Sequence, residues 1–128
     1  MVLDSSAIVA IFLKEPGHGA LIRKLAAAKL IGVGAPTLVE TGIVLSVRLG
    51  RAPWPLLARF LQEFEVIVVP FSEVHWTEAL GAYRQFGKGR HAAALNFGDC
   101  LGYAVARVAG QPLLCVGDDF SRTDLPLA

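Results

Sequence analysis

Asp4, Glu40, Asp99 and the adjacent pair Asp118–Asp119 are acids set among apolar residues, a placement that costs free energy unless something compensates it. In "AALNFGDCLGYAVA", residues 93–106, Asp99 is surrounded by Leu95, Phe97, Cys100, Leu101, Tyr103 and Val105. Glu40 stands three and four residues before Ile43 and Val44, on the same helical stripe. Asp4 follows the apolar start "MVL", and Asp118 and Asp119 follow "PLLCVG". Two carboxylates about 4 Å apart repel by roughly 4 kcal/mol at an effective dielectric near 20. Four in one cleft must therefore take up protons or gather round a cation. A donor set of oxygens without His or Cys favours Mg²⁺ or Mn²⁺. The chemistry such an ion supplies is activation of water and neutralisation of charge on a phosphate. Each acid also has a plain alternative: Asp4 as a helix cap, one of Asp118 and Asp119 as a turn residue. Asp124 reads as a solvated turn residue.

These acids need elements to bring them together. "MVL" fits a short buried strand, and "DSS" offers cap residues for a helix over residues 6–14, stopped by "EPG". A second helix is expected over 19–29, with Leu21, Leu25 and Ala28 at helical spacing. "LIGVGA" is a brief strand, and Pro36 opens a helix over 36–49 with Val39, Ile43, Val44 and Val47 on its inner stripe. Residues 56–64 are amphipathic and helical. "EVIVVP" is β-branched and continuously apolar, as in a buried parallel strand. Ser72 caps a helix through Phe86, with Trp76, Leu80 and Tyr83 expected inside. A helix over 91–109 carries Asp99, and "QPLLCVG" is the last strand. Strands alternating with helices imply a parallel sheet covered on both faces, whose sites form beyond the carboxyl ends of its strands. Asp4 and the Asp118–Asp119 pair fall there.

The bulk properties agree with one packed α/β domain over residues 1–128: 54% hydrophobic, 18% charged, net charge +1. Cys100 and Cys115 have no CxxC spacing, which predicts two reduced thiols in a cytoplasmic protein. The N-terminus lacks a basic start and meets Asp4 early, a poor signal peptide. The most membrane-like window, residues 30–47, contains Glu40, Pro36 and three glycines, so no membrane span is expected.

The segments "VLDSSAIVAIFLKEPG", "APTLVETGIVL", "GKGRHAAALNFGDCLGYAVA" and "PLLCVGDDFSRTD" together resemble PIN-domain ribonucleases, most of all the VapC-type toxins of bacterial toxin–antitoxin pairs. The resemblance spans essentially the whole chain. It implies a three-layer α/β/α sandwich with a central, mainly parallel sheet, and a Mg²⁺- or Mn²⁺-dependent endoribonuclease. It carries the catalytic and metal-binding roles onto Asp4, Glu40, Asp99 and Asp119. Asp119 is chosen because the family pattern ends in an Asp-Phe pair, here Asp119-Phe120; Asp118 next door is the alternative fourth acid. The resemblance further implies a cognate antitoxin that blocks the cleft, a homodimer, toxin–antitoxin hetero-oligomers, and structured RNA such as tRNA as substrate.

Charge placement accommodates such a substrate. Setting the four acids aside leaves seven against twelve Lys and Arg. Arg84, Lys88, Arg90 and His91 concentrate in "YRQFGKGRH" and are candidate phosphate contacts, a solvated loop being the alternative. Ser6 and Asn96 are candidates for orienting acids, or simply caps. Two competing readings keep the fold. A DNA nuclease would share the metal chemistry, and an inactive PIN-like interaction module would need no metal. A phosphatase would want a D-x-D start, where this chain has Asp4-Ser5-Ser6.

Overall fold

Four short parallel strands carry six helices in the computed structural model, which describes residues 1–128. In chain order these are β1 (Val2–Leu3), α1 (Ser5–Phe12), α2 (His18–Ala27), β2 (Gly32–Gly34), α3 (Ala35–Leu49), α4 (Trp54–Glu63), β3 (Ile67–Val69), α5 (Glu73–Phe86), α6 (Phe97–Ala109) and β4 (Leu113–Leu114), followed by a single 3₁₀ turn at Phe120–Arg122. The sheet order is β3-β2-β1-β4, all parallel, with Val2 opposite Gly32 and Leu113, and Leu3 opposite Val33 and Leu114. The chain leaves β1 towards β2 and later returns on its other side as β4. The order therefore reverses beside β1, which opens a crevice at its carboxyl end.

Alternation along the strands divides the interior in two. Val2 and Leu113 face α5 and α6, joining Ala82, Phe86, Cys100, Tyr103 and Ala104. Leu3 and Leu114 face the other way, joining Ile8, Leu25, Leu45, Leu57 and Phe60 from α1 to α4. The result is the expected three-layer α/β/α sandwich, with a sheet that is wholly parallel. Gly34 ends β2 hard against α6; a methyl there would stand 2.9 Å from Val105 Cγ2.

Several faces differ from the sequence expectation. On α3 the buried stripe is Thr37, Thr41 and Leu45, while Val39, Ile43 and Val47 are exposed. Thr41 can turn inward because its hydroxyl donates to the Thr37 carbonyl at 2.8 Å, satisfying itself on its own helix. On α5 the inner face is His75, Ala79, Ala82 and Phe86, and Trp76, Leu80 and Tyr83 look outward. Small residues are what allow α5 to lie close along α6, so size outweighed hydrophobicity in choosing the face. β3 is an edge strand with one neighbour, leaving Ile67 53% exposed rather than buried. Finally, α6 begins at Phe97, not at residue 91. Residues 87–96 form a loop closed by pairing of Gly87 with Leu95, and Ala94 adopts φ 52°, which no helix continues.

Candidate active site

Asp4 leaves β1 at the crevice and is 4% exposed. Its backbone N–H donates to the Leu114 carbonyl at 2.9 Å, fixing it to β4. Its carboxylate caps α1, accepting from the Ser6 N–H at 3.1 Å and the Ser6 hydroxyl at 2.5 Å. The Ser6 hydroxyl in turn accepts from the Val116 N–H at 3.0 Å, so one side chain links Asp4 to the chain leaving β4. Cap and site residue are thus one and the same: the cap geometry is what holds the acid at the sheet edge.

The late start of α6 changes the standing of Asp99. It lies in the first turn of the helix, not in its middle, and forms a reciprocal capping pair with Asn96. The Asn96 side chain accepts from the Asp99 N–H at 2.9 Å, and the Asp99 carboxylate accepts from the Asn96 N–H at 3.0 Å. Glu40 approaches the same turn from α3. Its Oε2 occupies space 2.3 Å from where a Cβ on Gly98 would sit. Asp4 Oδ1 lies 3.3 Å from the corresponding point on Gly102, one turn further along α6. Both glycines are close-approach positions. A glycine in the first turn of a helix, immediately before an acid, was the available signal for the first of them.

Electrostatics couple the acids to one another. Burial is the main cause that pushes Asp99 up to about 6; the Asn96 N–H opposes it, and the charges of Asp4, Asp119 and Glu40 add to it. Asp4 is likewise raised, first by burial and last by Asp119, against the lowering bonds of Ser6 and Ser5. The charge of Asp119, which precedes the 3₁₀ turn, thus reaches both Asp4 and Asp99. The backbone carbonyl of Asp118 accepts from the Ser121 N–H at 3.2 Å and the Ser121 hydroxyl at 2.7 Å, which closes the turn. Cys115, at the exit of β4, stands in the same field. Burial and then Asp4, Asp119 and Asp99 push its thiol up to about 11, so it stays protonated beside the acids.

Asp4 and Glu40 come against the glycines that flank Asp99 on α6, so carboxylates from three separate segments lie along its first turns. No three of these side chains are set closely enough to share one ion directly as they stand. By donor type alone, oxygen without His or Cys is the kind of set that a hard divalent cation takes.

The PIN-domain family model matches residues 1–125. The chain belongs to the PIN-domain family. Ribonuclease VapC36 of Mycobacterium tuberculosis is 43% identical over 126 residues, 98% of this chain and 91% of that one. A ribonuclease VapC of Mycolicibacterium smegmatis is 40% identical over 125 residues, covering 98% and 97%. Among solved structures, the crystal structure of Mycobacterium tuberculosis VapC20, a Sarcin-Ricin loop cleaving toxin, superposes with a TM-score of 0.80 at 20% identity, covering 99% and 97%. A toxin–antitoxin complex from Klebsiella pneumoniae gives 0.73 at 11% identity, covering 99% and 95%.

In this PIN domain the basic candidates divide. The Arg90 guanidinium stacks over Tyr83, 5.5 Å from the ring centroid. Lys88 is exposed in the same loop. His91 packs edge-on against Phe86, and its Nδ1 accepts from the Ala93 N–H at 3.0 Å, which spends that nitrogen on the loop. Arg84 turns elsewhere, into a polar groove with Arg107, Tyr103 and Asp124. Asp124 is bonded there, accepting from the Tyr103 hydroxyl at 2.7 Å and pairing with Arg107 at 3.4 Å. The largest cleft, of about 980 Å³, borders the acids through Glu40 and Gly98 and is otherwise apolar, walled by Ile43, Trp76, Leu80 and Phe97 among others. No helix is long and apolar enough to cross a membrane.

Proposed function

We propose that this PIN domain is a Mg²⁺- or Mn²⁺-dependent endoribonuclease and the toxin of a toxin–antitoxin pair. The observation that carries the reading is the approach of Glu40 and Asp4 to Gly98 and Gly102, on either side of Asp99 along α6, an oxygen-only set that a hard cation would neutralise. The names of its relatives, ribonucleases over nearly the whole chain, support RNA as the substrate.

Asp4 and Asp99 would hold the ion, with Glu40 and Asp119 completing the site directly or through waters. When bound, the ion supplies Lewis acidity towards the phosphodiester. Ser6 keeps Asp4 aimed into the crevice, and Asn96 does the same for Asp99. Glu40, on the rim towards the apolar cleft, takes the proton from the attacking water. Attack by water leaves 5′-phosphate and 3′-hydroxyl ends. The wall of apolar residues beside Glu40 supports an antitoxin that lays nonpolar side chains there and covers the acids. The exposed Val39, Ile43 and Val47 on α3 support self-association.

Purified protein incubated with total RNA and with tRNA, in Mn²⁺ or Mg²⁺ and in chelator, tests this. Cleavage is expected with metal alone, with 5′-phosphate ends, and is lost in the Asp99→Asn chain. A single-stranded DNA arm separates RNA from DNA nuclease activity. Intact RNA in Mn²⁺ with a folded protein would overturn the reading in favour of an inactive interaction module.

A further inference from the structure

We propose that Gly98 is a positioning residue for Glu40: its missing side chain is the seat in which the Glu40 carboxylate rests, held over the first turn of α6 and beside Asp99. This rests on the reading of Glu40 as part of a metal site.

The geometry is unusually direct. A Cβ built on Gly98 would lie 2.3 Å from Glu40 Oε2, 2.9 Å from Cδ and 3.0 Å from Oε1, and no other atom ranks among its three nearest neighbours. The whole carboxylate fills the space that any other residue would claim. Gly98 has no positive φ, so its backbone would accept alanine without strain. Inside a helix a glycine is also costlier than alanine. Neither backbone conformation nor helix stability asks for glycine here. What a methyl would displace is the flexible end of Glu40, which can swing away at little cost to the fold. The neighbouring turn is a favourable place for a carboxylate, since the first N–H groups of α6 point out of it.

Gly98→Ala should therefore leave the fold intact and spoil the site. Three readouts on the full chain test this. The melting temperature of the metal-free variant should be unchanged or higher, by up to about 4 °C. A crystal structure of the variant should show the Glu40 carboxylate moved off α6. Mn²⁺ affinity, read by the paramagnetic resonance of free Mn²⁺, should fall about 10- to 100-fold, as when other supports of a metal ligand are lost. In a Glu40→Ala background, Gly98→Ala should bring no further loss.

Unfolding of Gly98→Ala would refute the proposal, because the glycine would then serve the helix packing and not Glu40. Wild-type Mn²⁺ affinity and RNA cleavage in Gly98→Ala, with both lost in Glu40→Ala, would refute it as well. If Glu40→Ala itself binds Mn²⁺ and cuts RNA like the wild type, the failure lies in the assignment of Glu40 to the site.

Discussion

Replacing Asp99 with Asn removes a charge while keeping the shape and the cap, since the amide oxygen can still accept from the Asn96 N–H. The effect on the metal-free protein follows from the displaced proton affinity of Asp99. Its carboxyl is raised from 3.8 to about 6. At about 1.4 kcal/mol per unit this amounts to roughly 3 kcal/mol of destabilisation by the ionised form. The side chain is partly exposed, and solvent screening reduces that to about 1.5 kcal/mol, or about 5 °C in melting temperature for a chain of this length. The sign is fixed by linkage: the folded state binds the proton more tightly than the unfolded chain. Wild-type stability should therefore fall as pH rises from about 4 to about 6 and level off near 7. Asp99→Asn should lack this component and be the more stable chain at pH 7.5 in chelator. Mn²⁺ at about a hundred times its dissociation constant adds about 2.7 kcal/mol to a protein that binds it, so the ranking should invert when metal is supplied. Thermal unfolding by circular dichroism from pH 4.5 to 8.5, with chelator and with Mn²⁺, reads all of this. An Asp99→Asn chain less stable than wild type in chelator at pH 7.5 would refute the reading that burial and the neighbouring acids disfavour the ionised form, and make Asp99 a scaffold residue.

Three further outcomes are expected. Ser6→Ala removes a bond that lowers Asp4 and the acceptor for Val116; unfolding should show a loss of about 1–2 kcal/mol, and the acid limb of metal-dependent RNA cleavage should move to higher pH. Gly34→Ala drives a methyl to 2.9 Å from Val105 Cγ2; denaturant unfolding should show about 1–3 kcal/mol of destabilisation, relieved when Val105 is shortened to Ala. Tyr103→Phe cuts the bond to Asp124 outside the acidic crevice; it should cost about 1 kcal/mol in the same unfolding assay and leave RNA cleavage rates unchanged.

The sequence by itself determined the order of strands and helices, because apolar runs, caps and breakers act over a few residues. It also singled out the candidate acids, because a carboxylate inside an apolar segment is conspicuous without any coordinates. Asp4 could be assigned to the end of the first strand, and the Asp118–Asp119 pair to the end of the last one, from local patterning alone. The faces of α3 and α5 could not be. Thr41 hides its hydroxyl on its own helix and Ala82 fits against α6, while Ile43 and Leu80 stay outside, and only the partner surfaces make those choices. The start of α6 likewise depended on the loop that Gly87 and Leu95 close, which moved Asp99 from mid-helix to a cap. Tertiary structure also set Glu40 against Gly98, since approach between segments far apart in the chain is a matter of packing. Local chemistry named the acids, and the shape of the small residues around them decided where they meet.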